Sequence, residues 1–346
     1  MNPAPTLDNV RHNFLPTFPG IADAHQIDKL AGDGSTRSYY RVLSGKKTYV
    51  LQTNGSDDLN YRRFLEAYGF YANQGIPVPK VLAHHDLSRW ILLEDLGSDD
   101  LQSLASYDHI LHSVKLLRHL APVSVENAFE KSWLAERTLD EARFVFEMNH
   151  FIEHFVEKLA GEKASEPLKK DLFELAARAA RGPRVFCHRD YQSRNLMKGS
   201  QQPFVMIDFQ DSQWGPALYD AVSLCWDPYF VLGEDEREEL FAEYLKSLDL
   251  KTLNANFQKL LQDEIATREL KEMLILERFV KAVGSFASFK TTRGKDTHLV
   301  YIEDSFRTVA AALKRAEPLG IRFPTLHTKV GEWLKLAERQ GWSRLT

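Results

Sequence analysis

Cysteine is nearly absent. Cys187 and Cys225 are the only two in 346 residues, and neither belongs to a CxxC pair. That excludes a disulfide framework and a cysteine-built zinc site, and each thiol is expected to act as a small buried hydrophobe. Long apolar runs are missing too: none reaches the roughly 18 residues a membrane-spanning helix needs. The stretch from Met1 to Gly20 is polar, carries Pro3, Pro5 and Pro16, and lacks the charged-then-apolar pattern of a secretion signal. Nor is there a basic arm. Lys and Arg number 44 against 48 Asp and Glu, a formal net charge of −4 with both signs spread along the chain. Nothing there favours nucleic acid or an anionic membrane, although a few local cations suffice to bind a phosphate. Internal repeats and low-complexity tracts are also lacking. What remains, 44% hydrophobic and 27% charged, is ordinary for a globular protein. A soluble, cytoplasmic chain of two or three compact units is expected.

Leu7, Val10 and Phe14 share the spacing of a short amphipathic helix before Pro16. From Ile27 to Thr53 the texture becomes strand-like. Tyr39-Tyr40-Arg41-Val42 and Thr48-Tyr49-Val50-Leu51 flank the turn Ser44-Gly45-Lys46-Lys47 as a hairpin. A helix follows, with apolar residues at Leu65, Tyr68 and Ala72 and an end near Gly75. Val81-Leu82-Ala83 and Trp90-Ile91-Leu92-Leu93 then predict two more strands. Residues 1–95 thus form a small sheet with one intercalated helix, and 94–98 make a natural hinge. Beyond it helices dominate residues 96–346, with long stretches at Glu136 to Leu159 and from Ser165 to Arg181. Two β-like runs interrupt them, Arg184–Cys187 and Phe204–Ile207.

The segment His188-Arg189-Asp190-Tyr191-Gln192-Ser193-Arg194-Asn195, with Ile207-Asp208-Phe209 after it, carries the chemistry. Phosphoryl transfer needs positioning and charge neutralisation more than covalent help. A carboxylate can orient the acceptor hydroxyl and take its proton, and Asp190 fits that role. Magnesium takes hard oxygen ligands, usually a carboxylate or two together with substrate phosphates. Asn195 and Asp208 can supply an amide oxygen and a carboxylate. Asn195 lies five positions after Asp190, and Asp208 lies 13 after Asn195. Two adjacent strands joined by such a loop would present all three at one edge. This is the catalytic-loop pattern H-R-D-x-x-x-x-N followed by D-F. An HxD triplet alone would be unremarkable, and loop-capping carboxylates in an inactive scaffold are the competing reading. The full spacing between β-runs favours catalysis. His188 is expected to brace the backbone rather than react, and Arg189 to pair with a neighbouring carboxylate.

Gly32 to Ser38 is a weaker signal. Gly34, Ser35, Thr36 and Arg37 can present backbone N–H groups, hydroxyls and a cation to nucleotide phosphates, yet Gly-Asp-Gly-Ser is also simply a good turn. Glu94 and Leu96, at the hinge, can offer backbone donors and acceptors to an adenine edge. Gly215 comes seven positions after Asp208, which leaves no room for the long activation segment with which protein kinases dock peptides. A small acceptor is favoured.

On these residues the chain resembles the aminoglycoside phosphotransferase/choline kinase superfamily. The residues include Gly34 to Val42, Leu92 to Gly97, His188 to Met197, Ile207 to Pro216, Tyr219 to Leu224 and Glu277 to Phe286. Within it, the chain is most similar to bacterial kinases that phosphorylate the anomeric hydroxyl of the cell-wall amino sugars N-acetylmuramate and N-acetylglucosamine. The resemblance implies an α+β, bilobal, protein-kinase-like fold with a small β-rich N-lobe and a larger helical C-lobe. It also implies ATP and Mg2+ as cofactors, with the metal on Asn195 and Asp208 and the base role on Asp190. The Asp211 to Pro216 segment, with Tyr219 and Asp220, is then implied on the acceptor side, with Gln192, Arg194 and Trp226 as further substrate candidates and Asp220 expected more as a helix-capping or loop-bracing carboxylate. Kinases usually place a lysine on the third strand; here Val50-Leu51-Gln52 puts glutamine there, and Lys46, Lys47 and Arg37 are alternative substitutes. Gln210 replaces the glycine many relatives have after Asp-Phe. Aminoglycosides, choline and homoserine stay open as acceptors, as does a binding module without turnover, because fold does not fix substrate. Trp214, Trp226, Asp227 and Tyr229 can build a pocket for a cation or a sugar. For a lactyl carboxylate, Arg278, Lys281 and Lys290 are candidate partners, each otherwise a solvated helix charge.

Overall fold

The computed structural model describes residues 4–30, 37–55, 57–123, 137–199 and 203–344. The chain forms two compact units. One comprises Met1–Leu104 with Arg194–Asp211, the other Ala105–Ser193 with Ser212–Thr346. The single division near residue 95 expected from sequence has no place for the return of 194–211 to the first unit.

The first unit is built on an antiparallel sheet of β1 (Ala24–Lys29), β2 (Ser38–Ser44), β3 (Lys47–Thr53), β4 (Val81–His85) and β5 (Trp90–Glu94), in the order β1-β2-β3-β5-β4. Ser44 pairs with Lys47, so Gly45 and Lys46 form the whole turn. Gly45 has φ +60°, which a residue without Cβ adopts at no steric cost. Alternation sends Tyr40 and Val42 of β2, and Tyr49 and Leu51 of β3, into one apolar cluster. Val10 and Phe14 of the helix Leu7–Phe14 close that cluster.

The helix Asp58–Asn73 starts on Asp57, whose carboxylate accepts the Asn60 N–H at 3.0 Å. Its buried stripe is Tyr61, Phe64, Ala67 and Tyr71. The stripe expected at Leu65, Tyr68 and Ala72 is offset from it, and Ala72 is exposed. The aromatic rings decide the rotation: Phe64 and Tyr71 lie 5.0 and 5.3 Å from the Phe209 ring, and such rings carry more apolar area than the alternative face. A second ladder, β7 (Leu196–Lys198) with β8 (Phe204–Met206), belongs to the same unit. It is tied in by Leu101 N–H to Leu196 O at 2.8 Å and Met206 N–H to Pro77 O at 2.9 Å.

In the second unit β6 (Arg184–Cys187) pairs antiparallel with β9 (Gln213–Pro216). The two β-like runs read from the sequence are therefore not neighbours; each has a short partner of its own. The β9 partner, Gln-Trp-Gly-Pro, carries no strand pattern that would reveal it. The helices Glu141–Phe151, Glu166–Ala179 and the 30-residue Glu264–Arg293 pack around a common core. Asp140 caps the first of these through the Arg143 N–H at 2.9 Å, so the helix begins there and not at 136. It runs on as a π-helix through Ile152–Leu159. Gly284 faces this helix so closely that a Cβ would lie 2.8 Å from Phe151 Cα, and glycine alone permits the approach. Among the described residues, no helix is long and apolar enough to cross a membrane.

Candidate active site

Residues 188–193 leave β6 as a loop whose backbone is fixed by two buried carboxylates of the same unit. Asp220, in the first turn of the helix Tyr219–Cys225, accepts the N–H of His188 at 2.6 Å and of Arg189 at 3.0 Å. Asp227, just beyond that helix, accepts the N–H of Ser193 at 2.6 Å and of Tyr229 at 2.7 Å. Between them Tyr191 is anchored by its hydroxyl, which donates to Ser113 O at 2.6 Å. His188 is fully buried and packs edge-on against Tyr191, as a bracing residue would. Arg189 sits at φ +78°, a conformation a bulky residue adopts only when its surroundings impose it. The pair of bonds to Asp220 supplies that constraint.

Burial pushes the Asp220 carboxyl up to about 6, with His188 and the two N–H groups restraining the rise. Its removal leaves two inward N–H groups without an acceptor. Asp220→Ala is expected to lower the free energy of unfolding by about 2–3 kcal/mol, measured by urea denaturation. An unchanged midpoint would show that the loop does not depend on it.

Asp190 presents a carboxylate that is 36% exposed. Lys281, from the helix Glu264–Arg293, places its Nζ 3.4 Å from Oδ1, and Arg189 Nε lies 3.9 Å from Oδ2. Burial raises the carboxyl, but Lys281, Arg189 and Arg278 outweigh it and hold Asp190 well below the usual carboxylate range. Behind Lys281 is Glu147, 3.8 Å from its Nζ and 3.2 Å from Arg143 Nε. Beside Glu147, burial and that carboxylate's charge push the Glu277 carboxyl well up, while Lys281, Arg143 and Arg189 outweigh burial and hold Glu147 low. Sequence reasoning missed Glu147 and Glu277, and it did not see Lys281 as the partner of Asp190. Glu147 and Lys281 lie 134 positions apart, and no local pattern links them.

In the first unit, Ile207 N–H donates to Asn195 O at 2.9 Å, extending the β7–β8 ladder by one step. Asn195 and Asp208 are thereby brought to one end of that ladder. Asp208 adopts φ +59°, a region Asp tolerates better than most residues. Phe209, locked by Phe64 and Tyr71, holds it in place. A cavity of about 600 Å3 lies in this unit, of a size that suits a small-molecule site. Arg37, Gln52, Glu94, Leu96 and Asp208 are among its lining residues. An amide oxygen and a carboxylate at one ladder end match the few hard ligands magnesium takes from protein. Among the described residues no cluster of three or more His, Cys, Asp or Glu offers a closed metal site, so substrate oxygens would have to complete the shell.

Other expected site residues fall differently. Gly34, Ser35 and Thr36 lie outside the described residues. Arg37 is ion-paired with Asp211 at 3.5 Å. Gln52, at the position of the usual lysine, is buried and donates to Asn54 Oδ1 at 3.1 Å. Lys46 and Lys47 are exposed at the hairpin turn and are not part of the cavity lining. Gln210 donates to Asp211 at 3.2 Å. Arg194, expected toward the acceptor, instead donates to Gln102 within the first unit at 2.7 Å. Gln192 is half-buried beside Asp190, its N–H on Asp190 O at 3.0 Å. Trp226, also expected there, is 2% exposed, edge-on to Phe241, with Lys271 over its ring at 5.4 Å. A tryptophan so enclosed offers no ring face to a ligand.

An antiparallel sheet unit and a helical unit, with a catalytic-type loop and an Asp-Phe turn, define a protein-kinase-like phosphotransferase. The choline kinase of Streptococcus pneumoniae superposes with a TM-score of 0.59 at 14% identity, covering 88% of this chain and 98% of that one. An aminoglycoside phosphotransferase with ADP bound gives 0.54 at 13%, covering 89% and 96%. At the sequence level, residues 26–255 match the phosphotransferase enzyme family, and the chain belongs to that family. An N-acetylmuramate/N-acetylglucosamine kinase of Pseudomonas aeruginosa is 28% identical over 298 residues, 84% of each chain. The enzyme of the same name from Neisseria meningitidis is 26% identical, covering 87% of this chain and 90% of its own. The protein is an ATP-dependent small-molecule kinase.

Proposed function

We propose that the chain transfers the γ-phosphoryl group of ATP to the anomeric hydroxyl of N-acetylmuramate or N-acetylglucosamine, with Asp190 as base and Asn195 and Asp208 as the magnesium ligands. The observation that carries the base assignment is the partly exposed Asp190 carboxylate, held ionised by Lys281 at 3.4 Å. In the reaction Asp190 orients the hydroxyl and accepts its proton as the oxygen bonds to the γ-phosphorus. The bond from that phosphorus to the β–γ bridging oxygen breaks, and ADP leaves. Magnesium, when bound, neutralises charge on the phosphate oxygens. Arg37, Gln52, Glu94 and Leu96 fit a nucleotide role in the cavity they line.

The surroundings of Asp190 also bear on the acceptor. Lys281, Arg189 and Arg278 offset the charge of Asp190, so the site attracts cationic acceptors such as choline or an aminoglycoside less than an unpaired carboxylate would. A neutral or anionic sugar suits it better. The test is turnover with Mg-ATP and a panel of acceptors, the product read by phosphorus NMR, where an anomeric phosphate is distinct from other esters. Anomeric phosphate from the amino sugars is expected. Turnover with choline or an aminoglycoside, and none with either sugar, would overturn the reading.

A further inference from the structure

Three cations were candidates for an acidic substituent of the acceptor, and the structure separates them. Lys290 is ion-paired with Asp296 at 2.6 Å. Lys281 is held between Asp190 and Glu147 at 3.4 and 3.8 Å. Arg278 stands apart. It is half-buried, one turn before Lys281 on the helix Glu264–Arg293, and it has no ion-pair partner among the described residues.

Among the described residues, its hydrogen bond runs from Nη1 to the Tyr219 hydroxyl at 3.2 Å, with the guanidinium carbon 5.3 Å from the same ring. Lys281 Nζ reaches that hydroxyl too, at 3.3 Å. Burial pushes the phenol up to about 12 despite both cations, so Tyr219 fixes their positions without supplying a negative charge. The carboxylates nearby are committed elsewhere. Asp190 faces Lys281, and Glu147 faces Arg143 and Lys281. Asp220 and Asp227 hold loop N–H groups, and burial pushes the Glu277 carboxyl well up, toward its neutral form. Arg278 is thus oriented by a neutral partner and, although Asp190 lies within its field, no described carboxylate is in direct ion-pair contact with it, so most of its planar donor fork is unused.

We infer that Arg278 is the specificity residue for an anionic acceptor: it pairs with a carboxylate carried by the molecule whose hydroxyl sits on Asp190. The inference rests on the amino-sugar reading. Of the two sugars, N-acetylmuramate carries a lactyl ether ending in a carboxylate, and N-acetylglucosamine has a bare hydroxyl at the same carbon. A guanidinium binds a carboxylate through paired N–H···O bonds, and that contact is available to only one of the two substrates.

The experiment compares kcat/KM for both sugars in the wild type, Arg278→Met and Arg278→Lys. In Arg278→Met the ratio of N-acetylmuramate to N-acetylglucosamine is expected to fall about 10- to 100-fold, the worth of one charge-assisted pair. The loss should sit mainly in KM, and Arg278→Lys, which keeps the charge but not the fork, should recover part of it. An equal loss with both sugars would assign Arg278 to the transferred phosphoryl group or to folding and overturn the inference. So would an unchanged ratio. In both cases the amino-sugar reading survives. A wild-type enzyme inactive on both sugars but active on another alcohol removes that reading, and this inference with it.

Discussion

Asp190→Ala will lower kcat by about 10²–10⁴, the usual effect of deleting a general base, with little change in the urea midpoint. The size follows from what Asp190 does. Its carboxyl lies well below the ordinary range near pH 4 because Lys281, Arg189 and Arg278 outweigh the burial that would raise it. A base so weak does not strip a sugar hydroxyl in advance. In the proposed role it orients the alcohol and takes the proton late, once the new P–O bond has acidified it, which suits a loose transition state with little covalent demand. Loss of such a group removes orientation and proton acceptance but leaves nucleotide binding intact.

The sign of the pH dependence follows from the same arrangement. A depressed pKa keeps Asp190 ionised throughout the neutral range, so the acid-side fall in kcat/KM due to this group lies below pH 4. Removing the ammonium with Lys281→Met raises the Asp190 pKa and moves that fall to higher pH. Near-wild-type turnover in Asp190→Ala would withdraw the base assignment. An acid limb that stays put in Lys281→Met would withdraw the account of why Asp190 is ionised.

The layout of the candidate site was legible in the sequence where its information is local. The step from Asp190 to Asn195 and the Asp-Phe pair depend on loop length, and the structure brings Asn195 and Asp208 to one ladder end through a single added hydrogen bond at Ile207. The hairpin was readable from alternation around a Gly-Lys turn, and the start of the helix after Ser165 from a side chain that accepts an N–H bond three residues on. What failed was non-local. The buried face of Asp58–Asn73 is chosen by Phe209, more than 130 residues later, so helical periodicity alone selected a neighbouring stripe. The strand β9 owes its existence to β6 and not to its own residues. Trp226 and Arg194 looked like ligand residues by type, yet core packing and Gln102 claim them. The counter-charge of Asp190 comes from Lys281, and the charge behind Lys281 from Glu147, on helices that meet only after folding.

Asp208→Asn should prove the most damaging change in the first unit. Asparagine is the substitute that isolates the charge, because Asp208 sits at φ +59° and asparagine tolerates that left-handed backbone while alanine is strained there. The Phe209 contacts and the β7–β8 ladder should therefore persist, and thermal stability should change little. On the proposed metal assignment, what is lost is one carboxylate from a pair of protein oxygens, in a site where substrate phosphates would provide the rest. Turnover at saturating ATP is expected to fall on the order of 10²–10³-fold, the equivalent of several kcal/mol of charge stabilisation. The Mg2+ concentration for half-maximal rate should also rise by about an order of magnitude or more, as expected when a hard anionic ligand becomes a neutral amide. Both readouts are needed, since a merely structural role for Asp208 would lower the rate without moving the magnesium titration. A variant with wild-type magnesium dependence would place the metal elsewhere. It would also leave the shared ladder end of Asn195 and Asp208 as a feature of folding alone.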